Sequence, residues 1–191
     1  RMPLVSTNVL ISNWKAFEKL GIFAAYCPGS YFSDIRLTYP LRFADYESSR
    51  STNEPITIHM YRIPLPGGLP LIENFRAGRY DLLNTSFEYF ERKIREQLGV
   101  MLADGDFNPA RDIKAITVNR WPHGYTVGTD AENESMYWYS DSWPNEKKIW
   151  LKGRKQFGRI SIANSDAGAS AMTESAIEQG YRATQEILKR S

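Results

Sequence analysis

Two clusters in this sequence carry side chains able to do chemistry. The first is Arg120-Trp121-Pro122-His123-Gly124-Tyr125-Thr126. It follows the strand-like stretch 112–119 directly, and in an extended segment residues i, i+2 and i+4 point to one side. Trp121, His123 and Tyr125 then either line one wall of a pocket, with Gly124 admitting a close approach, or form an aromatic corner that closes the core. The second cluster is the loop 164–172, made of small and polar residues around one carboxylate, Asp166. It lies between a strand-like stretch, 159–163, and an amphipathic helix expected from Thr173 to about Lys189. A helix start offers unpaired N–H groups and a partial positive charge, and small side chains let a ligand reach the backbone. That geometry suits an anionic or polar cofactor. The same strand, loop and helix also occur in α/β units with nothing bound.

Composition sets the outer bounds. The 191 residues suffice for one good core or two small ones. A hydrophobic share of 42% and a charged share of 24% are those of an ordinary globular protein. Lysine and arginine total 24 against 22 acidic residues, a balance that gives no reason to expect nucleic acid or an anionic membrane as partner. The single cysteine, Cys27, excludes an internal disulfide framework and a cysteine-based zinc site. The two histidines, His59 and His123, leave little for a histidine-rich metal centre. No apolar run approaches the length of a membrane span. Five Trp, eleven Tyr and nine Phe exceed what a core alone needs, and suit a concave apolar pocket with polar tips. The Arg-Met-Pro-Leu-Val start suggests a processed or excerpted polypeptide.

The elements that would hold these clusters can be read in order. Residues 1–13 suggest a strand or a short buried segment. Residues 14–26 fit a short helix with Trp14, Phe17, Leu20 and Phe23 on one stripe, broken by Cys27-Pro28-Gly29-Ser30. The aromatic stretch 31–46 suggests irregular strands around a pocket or core, and 47–55 an exposed loop. Residues 55–63 alternate Ile56, Ile58 and Met60 against Thr57, His59 and Tyr61, the pattern of a half-buried strand. Residues 64–70 form a turn-rich connector, and 77–83 a short helical piece. Thr85 with Glu88 three residues on reads as a capping box. The helix it opens places Phe87, Phe90, Ile94, Leu98 and Met101 on one face and its charges on the other. Residues 128–148, with Met136, Tyr137, Trp138, Tyr139 and Trp143, read as a long loop or hairpin able to cap a pocket.

Two stretches carry a resemblance. "ITVNRWPHGY" (116–125) and "FGRISIANSDAGASAMTESAIEQGYRA" (157–183) resemble flavin-dependent amine oxidoreductases, closest to the bacterial spermidine dehydrogenase-like branch. Phe75-Arg76-Ala77-Gly78-Arg79, the helix that follows, and Phe107-Asn108-Pro109-Ala110-Arg111-Asp112-Ile113 are similar to that branch as well. The resemblance covers about residues 55–190. It implies a mixed α+β and α/β fold: residues 1–150 as part of a substrate-binding domain with an aromatic pocket, and 151–191 as the closing strand and helix of a Rossmann-like FAD domain. The Gly-x-Gly-x-x-Gly fingerprint for the FAD pyrophosphate is absent here, and Gly67-Gly68 runs into Leu-Pro. The resemblance therefore implies a fragment or subunit, active only with an N-terminal flavin-binding portion or a partner chain.

It further implies residue roles. Asn164, Ser165 and Asp166 match the motif after the last FAD-domain strand, with Asp166 at the ribityl or phosphate region. Thr173, Glu174, Ser175, Ala176 and Ile177 would point N–H groups at the flavin N1–C2=O edge, where charge gathers as N5 takes a hydride. Tyr125 matches an aromatic beside the isoalloxazine. Met172 stands where a second cage tyrosine is expected. Trp121, His123 and Tyr125 would shape the site for an amine, with a polyamine as one candidate, and His123 can accept a proton. Two other readings stay open. One is a non-catalytic accessory domain that keeps the aromatic pocket. The other is an amino-acid oxidase, which needs an arginine for the substrate carboxylate; Arg36, Arg42 and Arg62 are candidates among which sequence does not choose.

Overall fold

The computed structural model describes residues 1–39, 41–125 and 144–189. Residues 126–143 lie outside the described residues, and with them most of the loop expected over 128–148, including Met136, Tyr137, Trp138, Tyr139 and Trp143. The chain is mixed α/β and divides into two compact units. One comprises Pro3–Leu69 and Asn74–Pro122; the other comprises Arg1–Met2, Pro70–Glu73 and His123–Ser191. The main sequence break between them falls at His123.

The larger unit is built on a five-stranded, mostly antiparallel sheet in the order β2-β3-β6-β1-β7. Its strands are β1 (Met2–Ile11), β2 (Ala24–Tyr26), β3 (Asp34–Leu37), β6 (Ile56–Arg62) and β7 (Ile113–Gly124). A separate two-stranded hairpin pairs β4 (Arg42–Phe43) with β5 (Tyr46–Glu47). Alternation fixes the register. In β1 the buried set includes Val5, Thr7, Val9 and Ile11, and opposite it β6 buries Ile58 and Met60. A one-residue slip would turn every one of these side chains to the other face. Thr7 is buried and donates its hydroxyl to the Met60 carbonyl at 3.1 Å, so the polar group costs little.

The helix over the sheet is α3 (Phe87–Met101), and a short helix, α4 (Pro109–Asp112), precedes β7. Phe90, Ile94 and Leu98 recur at four-residue steps and are fully buried with Val5, Val9, Ile35, Leu37 and Ile58 in one core. Its cap is Ser86, whose hydroxyl accepts from the Tyr89 N–H at 3.3 Å. The expected cap, Thr85, instead donates to the Asp81 carbonyl at the end of α2 (Leu71–Asn84). The helix expected over 14–26 is confined to α1 (Lys15–Leu20). Gly21, with φ +64°, takes the left-handed C-cap conformation that stops it, and Ala24–Tyr26 become strand β2. The aromatic stretch 31–46 separates by environment. Phe32 is fully buried, while Tyr39, Phe43 and Tyr46 are exposed on or beside the hairpin.

The smaller unit contains α5 (Ile149–Gly153), a 3-10 turn at Ser165–Gly168 and α6 (Thr173–Leu188). The strand expected at 159–163 does not form. Phe157 and Ile160 make an isolated bridge closing a turn, and Ile160 and Ile162 stay exposed. A strand is stabilised by its cross-strand neighbours, and no strand among the described residues pairs with this segment. Helix α6 runs as expected, but its packed side is Ser175, Gln179 and Ala183. Ile177, Tyr181, Ile187 and Leu188 face outward.

Candidate functional site

The expected cofactor residues gather around the 3-10 turn and the start of α6, and each has a definite local duty. Asn164 caps the turn: its Oδ1 accepts from the Ala167 N–H at 2.9 Å. Asp166 is held by Arg1, with Nη2 2.5 Å from Oδ2. Ser165 contributes its carbonyl to the Ser170 N–H. Gly168 is packed so closely that a Cβ there would sit 2.3 Å from Ser175 Oγ. The turn is thus pressed onto the first turn of α6 by small side chains.

The residue before α6, Met172, is its N-cap and offers no side-chain hydrogen bond. The helix start is therefore left without a side-chain cap, with its partial positive charge directed outward. It borders a cavity of about 710 Å³ whose walls include Lys148, Trp150, Arg154, Glu174 and Glu178. That volume falls within the roughly 300–1,000 Å³ of small-molecule sites. Two cations face two carboxylates, so the formal charges of the lining cancel. Of the residues expected at the flavin, Glu174 and Ser175 line this cavity, as does Met172. Asn164, Ser165, Asp166, Thr173, Ala176 and Ile177 are not among its lining residues; Ile177 is 68% exposed.

Two residues that line the cavity, Arg154 and Gln179, belong to a polar network. Arg154 Nη1 donates to the Ala167 carbonyl and to Gln179 Oε1, both at 3.1 Å. Arg182 Nε donates to the same Gln179 oxygen at 2.9 Å. Arg182 also bonds Glu186 and the Ile162 carbonyl, and Ser161 donates to Glu186 at 3.0 Å. Burial, helped by the neighbouring Arg182 charge, lowers the Arg154 pKa below its ordinary value. Hydrogen bonds from Arg182 first, and from Ser161, hold the Glu186 carboxyl below the usual range. Lys148, Trp150 and Arg154 were not among the residues singled out by sequence. Trp150 and Arg154, four apart, do share one side of a helical turn within a basic stretch, which is the signal that was there to find.

The tryptophan–histidine–tyrosine cluster is arranged differently from expectation. Strand β7 carries Trp121 and His123 and ends at Gly124. Tyr125 has φ +60°, in the left-handed region, so the two-residue alternation does not extend to it. Trp121 and Tyr125 are exposed, at 56% and 65%, and His123 is exposed too. None of the three lines the cavity at α6. Among the described residues there is no group of three or more His, Cys, Asp or Glu placed to hold a metal ion, and no helix is long and apolar enough to cross a membrane. Compared with protein families and with curated proteins, the chain matches no family model and no curated protein.

Proposed function

We propose that this chain is part of an FAD-dependent oxidoreductase that oxidises an amine, a polyamine being one candidate, and that the smaller unit contacts the flavin ring. The observation that carries the reading is the start of α6, without a side-chain cap, opening on a cavity whose side-chain charges cancel. A site for a pyrophosphate would need net positive charge. A neutral lining with a helix dipole instead suits a polar, uncharged ring edge, with Trp150 and Met172 as apolar walls. The two sequence stretches that resemble amine oxidoreductases include this helix start and the Trp121–Tyr125 cluster.

When bound, the flavin supplies the hydride-accepting centre. The chain's own residues orient and stabilise. The backbone N–H groups of Thr173, Glu174 and Ser175 would face the edge of a bound ring where negative charge gathers. Arg154, tied to Ala167 and Gln179, keeps the 3-10 turn and α6 in register. By the resemblance, His123 and Tyr125 would border the amine, with His123 able to accept its proton. The pyrophosphate site comes from another stretch of polypeptide, because these residues contain no glycine fingerprint.

The test is a visible spectrum of the protein purified with every polypeptide that accompanies it, followed by anaerobic addition of spermidine. Isoalloxazine bands that bleach on addition are the expected result. Absence of flavin overturns the proposal in favour of an accessory domain.

A further inference from the structure

A second cavity, of about 400 Å³, lies wholly within the larger unit, where α2 ends and α3 begins. Its wall includes Tyr31, Arg62, Asp81, Asn84, Ser86 and Tyr89. We propose that it binds a small zwitterion, an α-amino acid, with the Arg62 guanidinium taking the carboxylate and the Asp81 carboxylate taking the ammonium.

Arg62 is placed but not satisfied. Its guanidinium lies 4.1 Å from the centre of the Tyr31 ring, and Nη1 donates to the Tyr31 carbonyl at 3.2 Å. Nη2 stands 3.8 Å from Asp81 Oδ2, an ion-pair separation longer than a hydrogen bond. The Nε is buried and has no hydrogen-bond partner among the described residues. A guanidinium has five donors, and among the described residues one hydrogen bond is made from them; with Nε shut off from solvent, the donors within a ligand's reach are those of Nη1 and Nη2. Unspent donors on a partly buried cation are costly, and a planar anion relieves that cost best. The other two arginines that sequence offered for such a role are committed elsewhere. Arg36 is bidentate on Asp34, at 2.8 and 2.5 Å, and Arg42 pairs with Glu47 on the exposed hairpin.

The charge balance selects the ligand class. One cation and one carboxylate, 3.8 Å apart, give the wall a dipole and no net charge. An α-amino acid carries its two charges on adjacent groups and can face both at once. A lone carboxylate would meet Asp81 and a lone amine would meet Arg62. Burial pushes the Tyr31 phenol up to about 12, so it adds no negative charge at neutral pH. Tyr31 and Tyr89 pack edge to face at 5.7 Å and offer an apolar margin for the ligand's side chain. This is a statement about binding in the larger unit and does not depend on the flavin reading.

The experiment is a solution NMR titration of the protein. The ligands are L-alanine and L-phenylalanine, each set against its deaminated analogue (propionate, 3-phenylpropionate) and its decarboxylated analogue (ethylamine, 2-phenylethylamine). At least one amino acid should bind saturably, about tenfold or more tighter than either of its analogues. R62Q should erase the preference over the amine, and D81N the preference over the acid. Equal affinities within a set, or no saturation by either amino acid, overturns the assignment. Should a variant fail to fold, the wild-type comparison within each set decides alone.

Discussion

Arg154 and Gln179, twenty-five residues apart, share a hydrogen bond of 3.1 Å that joins the end of α5 to the middle of α6. Gln179 is 7% exposed, and its single amide oxygen takes a second donor from Arg182 at 2.9 Å. Removing that oxygen leaves two guanidinium donors without their acceptor in a half-buried setting. Replacing Gln179 by Leu should therefore destabilise the smaller unit by about 1–3 kcal/mol. The loss should appear as faster amide hydrogen exchange in α6 and the 3-10 turn, with α3 unchanged. Uniform protection in the variant would show that the network contributes nothing.

The network also shows what sequence could and could not reveal. Helix α3 was legible because Phe90, Ile94 and Leu98 carry the period and all three are buried. Its cap lies one residue beyond the Thr85 that the pattern picks out, because Thr85 and Ser86 are both hydroxyls and only the backbone decides which one faces the helix N–H groups. Helix α6 was legible in extent but not in orientation. Its packed side is Ser175, Gln179 and Ala183, and hydropathy alone marks the two polar members of that set as outward. The strand at 159–163 was expected from Ile160 and Ile162, yet a strand is a relation to a neighbour and no periodicity supplies one. The alternation of Trp121 and His123 fails at Tyr125 because a positive φ there takes it out of the extended chain. At the candidate site, the helix start was visible in the small-residue loop, whereas Lys148, Trp150 and Arg154 are brought to it by tertiary packing.

Gly78 lies where α2 crosses other backbone. A Cβ there would fall 2.0 Å from the Pro64 carbonyl oxygen and 2.8 Å from Pro3 Cγ. Alanine is the better helix former by about 1 kcal/mol, so propensity alone favours Gly78→Ala. The clash is with backbone and cannot be relieved by a rotamer change. Overpacking of this kind costs about 1–3 kcal/mol or more. Gly78→Ala should lower the midpoint of thermal unfolding, and a raised midpoint would mean that α2 can move away.

Asp112 gives the protein an acid limit. The residue is buried, and Arg111 holds it from two nitrogens at 2.7 and 2.9 Å, while the Asn108 N–H donates to it at 2.8 Å. Hydrogen bonding from Arg111 is the chief reason its carboxyl lies below the usual range, against the opposing effect of burial. A depressed folded value means stability that is fully present above the unfolded carboxylate value of about 3.9 and lost as pH falls through the folded one. Asp112→Asn should cost about 1.5–3 kcal/mol at neutral pH and flatten the decline in urea-unfolding free energy below about pH 4. An unchanged acid slope would assign that decline to other carboxylates.

His59 acts in the opposite pH region and by a different cause. Burial first, and the Arg36 charge second, pull its pKa below the ordinary imidazole value. Its Nε2 lies 3.1 Å from Thr38 Oγ1; the single Thr38 hydroxyl proton goes to the Thr57 carbonyl at 2.9 Å, so the ring donates to Oγ1, which the neutral Nε2–H tautomer does without taking up a second proton. The folded state therefore binds a proton less readily than the unfolded chain. Where the unfolded state holds more protons, stability rises with pH. The protein should lose stability as pH falls from about 6.5, the unfolded imidazole value, down to the lower folded value, and level off beyond it. His59→Gln keeps a hydrogen-bonding side chain but no titration, so its stability should be flat across that interval. A wild-type profile that is equally flat would mean that the ring protonates without cost and that Arg36, already paired with Asp34 at 2.5 Å, exerts no net field on it.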